Sequence, residues 1–234
     1  VYGSLGPADP PFTEESAYRP SSPYAASKAA ADHLVRAYSR TYGLPITITN
    51  CSNNYGPRQF PEKLIPLSII HALEGSPIPI YGDGLQVRDW LHVDDHCRAI
   101  EAVLHQDAAS ETYNVGGKSE RTNAETVTAV ARTLDQAFGA DQNLARRFPR
   151  SPAGQGRSAD LITHVVDRAG HDRRYAMSNQ KISRELGFRP EVTFEDGIRR
   201  TVAWYLENES WWRQVMDGTY RDWLRVQYGP IVSF

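Results

Sequence analysis

The chain has 234 residues, 40% of them hydrophobic and 23% charged, with a formal net charge of -2. This balance supports a sizeable buried core in an ordinary globular protein. It supplies no broad basic footprint for nucleic acid or a membrane surface, and no apolar run approaches the length of a membrane span. Two cysteines, Cys51 and Cys97, make neither a disulfide framework nor a metal-ligand spacing, which predicts buried thiols in a reducing, cytoplasmic setting.

In chain order, Val1-Tyr2-Gly3-Ser4-Leu5 has neither an initiator methionine nor a charged stretch before an apolar core, so neither a signal peptide nor a natural start is expected there. Ser22 as N-cap, Pro23 at the first helical position and Gly43 as a stop predict a helix over 23–42, with Leu34, Val35, Tyr38 and Tyr42 on its apolar side. Residues 45–51 read as a buried strand. The polar Ser52-Asn53-Asn54-Tyr55-Gly56-Pro57 follows its carboxyl end, where open α/β sheets bind ligands. A helix over 62–74 accommodates Pro66 near its start. Short strands over 79–82 and 87–91 flank the turn Gly82-Asp83-Gly84. The helix Val93–Leu104 carries Asp94-Asp95-His96 in its first turn, where capping and the helix dipole explain the carboxylates better than a metal does. His92 reads as structural.

Residues 112–115 form a strand closed by Gly116-Gly117, and Thr122 caps a long helix reaching Phe138. Glycine, proline, serine and arginines then break the pattern over 139–160, which predicts a mobile surface insertion. A strand over 162–166, helices over 178–186 and Phe194–Glu207, and packing or interface tryptophans Trp211, Trp212 and Trp223 complete the chain. The alternation of helix and strand is the signature of an α/β layer architecture with a mostly parallel sheet.

The most informative pair is Tyr24 and Lys28, which share one helix face. A phenol acting as a base near neutral pH needs its anion stabilised, and both a fixed cation one turn away and the helix N-terminus do this. The spacing alone is equally that of a surface pair. No glycine-rich strand-to-helix turn for a dinucleotide pyrophosphate occurs; Gly116-Gly117 and Gly154-Gln155-Gly156 lack the spacing and the context.

Three further motifs decide between these readings. Tyr24-x-x-x-Lys28 is joined by Cys51-Ser52-Asn53-Asn54-Tyr55-Gly56-Pro57 with Phe60-Pro61-Glu62-Lys63-Leu64-Ile65-Pro66. Arg88-Asp89-Trp90-Leu91-His92-Val93-Asp94-Asp95-His96 and Asp167-Arg168-Ala169-Gly170-His171-Asp172-Arg173-Arg174-Tyr175-Ala176 follow. Together they resemble the extended short-chain dehydrogenase/reductases, and within them the dTDP-glucose 4,6-dehydratases, over nearly the whole chain. The resemblance implies the C-terminal part of a Rossmann-like doubly wound parallel sheet plus a smaller mixed α/β substrate domain. Residues 1–60 would be the residual part of an NAD-binding domain. Residues 61–234 would belong mainly to the substrate domain, with 87–118 and 161–166 returning to the sheet.

The resemblance also implies an internal redox cycle with NAD as cofactor and dTDP-glucose as substrate, in deoxysugar nucleotide biosynthesis. Tyr24 would take the proton of the sugar 4-hydroxyl, water would leave from positions 5 and 6, and a 4-keto-6-deoxy sugar would result. Tyr24, Lys28 and Asn54 would face the nicotinamide. Asn53, Lys63, Leu64, Pro79, Ile80, Tyr81, Arg88, Asn123, Arg168, His171 and Asp172 would line the substrate site, which suits a diphosphate on cations and a base on an apolar platform. The family's dimers pair through helices, so a homodimer is expected, with no nucleic-acid or membrane partner.

The acid and base of the family's elimination step directly precede a Val-Tyr-Gly tripeptide, and this chain begins with Val1-Tyr2-Gly3. The expectation is therefore a fragment of a longer dehydratase, inactive alone. The alternatives are a nucleotide-sugar 4-epimerase of the same superfamily and a non-catalytic nucleotide-sugar-binding remnant.

Overall fold

The structure is a computed structural model that describes residues 1–106 and 111–216; Trp223 lies outside the described residues. In chain order the elements are α1 (Pro23–Tyr42), β1 (Thr47–Cys51), β2 (Asn53–Tyr55), α2 (Leu64–Glu74), β3 (Ile78–Tyr81), β4 (Val87–His92), α3 (Val93–Leu104), β5 (Glu111–Val115) and β6 (Glu120–Thr122). Then come α4 (Asn123–Ala140), α5 (Asn143–Arg147), two 3-10 turns (Pro152–Gln155 and Ser158–Leu161), β7 (Ile162–Val165), β8 (Arg174–Tyr175), α6 (Gln180–Leu186), α7 (Phe194–Glu207) and α8 (Glu209–Val215). The chain divides into two compact units. The first is Val1–Asn54, Leu85–Arg121 and Arg168–Phe194; the second takes the segments between and after these. No helix among the described residues is long and apolar enough to cross a membrane.

In the first unit β1 and β5 run parallel, with Thr47 opposite Glu111 and Cys51 opposite Val115. A second sheet places β4 between β2 and β6, and β8 pairs with β4 in parallel. The short β2 occupies part of the stretch that the sequence reads as a polar loop. Leu91, Ala99, Val103, Tyr113, Val115, Ile182 and Phe188 form one buried cluster, against which Cys51 and Leu186 pack. Burying such side chains stabilises by about 1.5–3 kcal/mol each.

Helix α1 starts and stops where the sequence places it. Ser22 Oγ accepts the Ala25 N–H at 3.2 Å, and Gly43 ends the helix in the left-handed region at φ 68°. Its packed face is not the apolar one, however. Ala29 is buried with Ala25, Asp32, Arg36 and Ser39 half-buried around it, whereas Leu34, Val35, Tyr38 and Tyr42 are 41–69% exposed. Hydrogen bonds dock this helix: the Tyr18 hydroxyl donates to Asp32 at 2.7 Å, and Arg36 donates to the Tyr18 and Thr112 hydroxyls. Cys97 is exposed and Cys51 half-buried, so the expectation of two buried thiols holds for neither in full.

In the second unit α2 is buried on nearly every side from Ile65 to Leu73 and packs against α4 and β3. Pro66 is its third residue, where no helical N–H bond is lost. β3 and β7 pair in parallel, Ile78 opposite Ile162. Thr122 and Glu125 form a reciprocal capping box at the start of α4.

The stretch 139–160 is not a structureless insertion. It folds as α5 and two 3-10 turns, buries Leu144, Phe148, Ala153 and Ser158, and ties Ser158 to Asp135 of α4 through the serine N–H and hydroxyl, the latter at 2.5 Å. Its anchors are isolated residues without helical or strand period, so composition alone masks them. In α8 Trp212 is buried and its Nε1 donates to the Tyr205 carbonyl at 2.9 Å, while Trp211 meets Trp204 edge to face at 5.1 Å.

Candidate active site

Tyr24 stands on the first turn of α1, 76% exposed, and Lys28 follows one turn later, also exposed. Lys28 lies close enough to the carboxyl end of β1 for its charge to act on the Cys51 thiol, whose pKa burial pushes up. The Asn54 side-chain amide donates to Cys51 Sγ at 3.1 Å and to the Ser52 carbonyl at 3.3 Å. Asn54 contacts Cys51 directly and the Lys28 charge acts on it, at the strand end where ligands bind in parallel sheets. An ammonium and an amide can hold hydroxyl groups here, and the Tyr24 phenol, one turn before Lys28 on α1, is a group able to move one proton.

Arg88 lies on β4, only 9% exposed. Its guanidinium donates to the Val87 carbonyl and to the Asp172 carbonyl, both at 2.8 Å. The Asp172 carboxylate accepts the Ser21 hydroxyl at 2.7 Å, and Gly170, at φ 69°, backs onto the Ser21 carbonyl. The segment holding Arg168, His171 and Asp172 is thus latched between Arg88 and the residue preceding the cap of α1. Arg168 is exposed and His171 half-buried, and Asn53 is exposed on β2. Ser21 was not among the expected residues; its partner lies 151 residues away and no local pattern marks it.

Asp89, next to Arg88, turns to the opposite face of the strand. It is 1% exposed and accepts the Gly117 and Ser119 N–H groups at 2.9 and 2.8 Å. Burial raises its pKa, and these two backbone hydrogen bonds partly offset the rise. The adjoining Gly117 has no room for a side chain, because a methyl group would overlap the Trp90 carbonyl.

A second group missed by the sequence reading holds the first residues of the chain. The Tyr2 hydroxyl donates to Asn114 at 2.8 Å and accepts from Asn50 at 3.2 Å. The same Asn50 amide reaches the Tyr18 hydroxyl at 3.1 Å. Burial pushes the Tyr2 phenol up to about 12, so it stays protonated as the donor. Tyr2 stacks on Phe12 and meets Tyr18 edge to face.

In the second unit Lys63 occupies the N-cap position of α2, 58% exposed and paired with Glu62 at 2.5 Å, and Leu64 is half-buried. Pro79 and Ile80 are buried in β3, and Tyr81 is half-buried at its end. Asn123, 8% exposed, opens α4, and the Ala124 N–H beside it donates to the Gly84 carbonyl at 3.0 Å. That bond brings the turn after β3 to the start of α4.

The Asp94-Asp95-His96 cluster is occupied structurally. Asp95 is buried, accepts the Glu191 and Val192 N–H groups at 3.0–3.2 Å, and pairs with Arg98 at 2.5 Å. Buried His92 accepts the Asp94 N–H through Nδ1 at 3.3 Å.

The solved structures this chain resembles are sugar-nucleotide dehydratases and epimerases with the Rossmann-type fold of short-chain dehydrogenase/reductases. A dTDP-glucose 4,6-dehydratase from Streptomyces venezuelae, with NAD and thymidine diphosphate bound, superposes with a TM-score of 0.79 at 47% identity, over 92% of this chain and 60% of its own. A UDP-glucuronic acid 4-epimerase from Bacillus cereus superposes with a TM-score of 0.73 at 26% identity, over 89% of this chain and 59% of its own. The GDP-mannose 4,6 dehydratase family matches residues 1–201, and the chain belongs to that family. The dTDP-glucose 4,6-dehydratase of Neisseria meningitidis serogroup B is 56% identical over 221 residues, 94% of this chain and 59% of the relative. The chain thus spans about three fifths of the length of the curated relatives it matches.

Proposed function

We propose that this chain carries the oxidation base and most of the nucleotide-sugar contacts of a dTDP-glucose 4,6-dehydratase, a hydro-lyase that makes the 4-keto-6-deoxy sugar. The observation that supports it most directly is that Lys28 and Asn54 both act on Cys51 at the carboxyl end of β1, with Tyr24 one turn before Lys28 on α1. The relatives named dehydratases stand near 50% identity, while the epimerase structures stand far lower.

The donor set fits the nicotinamide end of NAD: a phenol, an ammonium and an amide suit ribose hydroxyls and a carboxamide. Bound there, NAD would supply a reversible hydride acceptor. Tyr24, as a phenolate stabilised by Lys28, takes the proton of the sugar 4-hydroxyl and becomes the neutral phenol, and Asn54 orients neighbouring polar groups. Arg88 offers its planar fork to the diphosphate, with Arg168 and His171 on the latched segment beside it. Lys63, Leu64, Asn53, Pro79, Ile80, Tyr81 and Asn123 complete the proposed sugar-nucleotide contacts. The proposal includes a cytoplasmic homodimer, supported by the free cysteines and by the exposed apolar side of α1.

The test joins this chain to the part of the Neisseria relative outside the matched region and assays dTDP-glucose for 4-keto-6-deoxy product. Turnover is expected, with a loss of at least about 100-fold in Tyr24→Phe, the scale of general-base catalysis. Equal turnover by that variant refutes the assignment of the base. Calorimetry on this polypeptide should show thymidine diphosphate binding that weakens in Arg88→Gln.

A further inference from the structure

An open cavity of about 620 Å³, wide to solvent, lies on the first unit, and none of the proposed catalytic or nucleotide-sugar residues lines it. Three cations do: Lys118, Arg184 and Arg189. Ser178, Gln180 and Ser183 add hydrogen-bonding groups, and no carboxylate belongs to the lining. Asp95 and Glu191 are both taken up by Arg98, whereas Glu185 is paired with the lining Arg184 at 2.6 Å, an exposed ion pair that a phosphoryl group must share or displace.

Hydrogen bonds fix the backbone at two places in the lining of the cavity. Its floor includes Asn179, 2% exposed, whose side-chain amide both donates to and accepts from the backbone of Gly116. Lys118 holds a left-handed backbone at φ 52°, which costs a non-glycine residue roughly 1–2 kcal/mol. Asp89 fixes that conformation by accepting the N–H groups on either side of it, at Gly117 and Ser119. The strain would disappear with glycine at this position, yet the residue present is a lysine on the rim of a cationic cavity.

We propose that this cavity binds an organic phosphate or diphosphate, with its phosphoryl group on Lys118, Arg184 and Arg189, separately from the nucleotide-sugar site. Cations suit phosphoryl oxygens, through charge-assisted hydrogen bonds from the arginines and point charge from the lysine. The volume exceeds what inorganic phosphate needs, and the open mouth leaves the rest of an organic phosphate in contact with solvent.

The experiment titrates the polypeptide, at low salt, with inorganic pyrophosphate and with thymidine diphosphate, following backbone amides by NMR. It is run in the Arg88→Gln background, so that binding at the nucleotide-sugar site is separated from binding here. Amides of residues 116–119 and 178–184 are expected to shift, with thymidine diphosphate binding more tightly than pyrophosphate. The pair Arg184→Gln/Arg189→Gln should weaken this binding by about tenfold or more. Lys118→Gly, which removes the charge and relaxes the backbone, should weaken it while leaving the melting temperature unchanged or higher. Absence of those shifts at about 10 mM ligand, or unchanged affinity in these variants, overturns the site. Equal affinity for the two probes overturns its assignment to an organic phosphate.

Discussion

Replacing Asp95 by alanine should destabilise the protein far more than replacing its ion-pair partner. The carboxylate is buried and accepts the Glu191 and Val192 N–H groups as well as the Arg98 guanidinium. Arg98 is 39% exposed and also holds Glu191 at 2.8 Å, so the ion pair by itself contributes only about 0.5 kcal/mol. The two backbone hydrogen bonds go to a charged acceptor, each worth about 1.5–3 kcal/mol. Glu191 is exposed and Val192 half-buried, so water recovers part of this, and the net loss comes to about 2–3 kcal/mol. For a chain of this size that corresponds to a melting temperature lower by about 5–10 °C. Asp95→Asn should cost nearly as much, because its amide must turn an NH2 toward at least one donor, whereas Arg98→Gln should cost about 1 kcal/mol or less. Thermal unfolding gives the ranking, and hydrogen exchange at Glu191 and Val192 should accelerate only in the Asp95 variants. Equal losses from the Asp95 and Arg98 variants would refute the reasoning.

Gly117→Ala should cost about 3 kcal/mol or more, because the new methyl group overlaps the backbone of β4; Gly139→Ala, with open space around it in α4, should stabilise by up to about 1 kcal/mol. Yield and thermal unfolding of the two variants measure the contrast. His71 and His96 are held neutral by burial, with folded pKa values below 6.5. The unfolded chain therefore binds more protons on acidification, so their contribution is complete above pH 6.5 and is lost as pH falls through the depressed values. Urea midpoints at descending pH should show the loss, and His71→Met/His96→Gln should flatten the curve. Leu34→Arg/Tyr38→Arg should leave the monomer folded, since both side chains are exposed, and shift sedimentation toward the monomer.

Local chemistry made much of the fold legible. Ser22, Pro23 and Gly43 delimit α1, and Thr122 with Glu125 opens α4, because caps act within four residues of the helix end. The packed face of α1 was not legible. Its apolar residues point outward, and its inward face is chosen by Asp32 and Arg36 meeting Tyr18 and Thr112. At the candidate site the sequence marks Tyr24, Lys28, Asn54 and Arg88 by motif. The Ser21 latch on Asp172 and the Asn50 bridge between Tyr2 and Tyr18 depend on residues brought together from distant parts of the chain. Those pairings are products of tertiary structure, and no spacing rule announces them.

The chain changes unit at five places, after Asn54, Gly84, Arg121, Asp167 and Phe194. Neither unit can therefore be released as one uninterrupted polypeptide by a single cut. On the ribosome, the first unit cannot close until Phe194 has emerged, since Ser4, near one end, must bond Arg173 near the other. Such long-range closure makes folding slow and leaves incomplete surfaces exposed for longer. Premature termination before Phe194 would leave both units open rather than one finished and one missing.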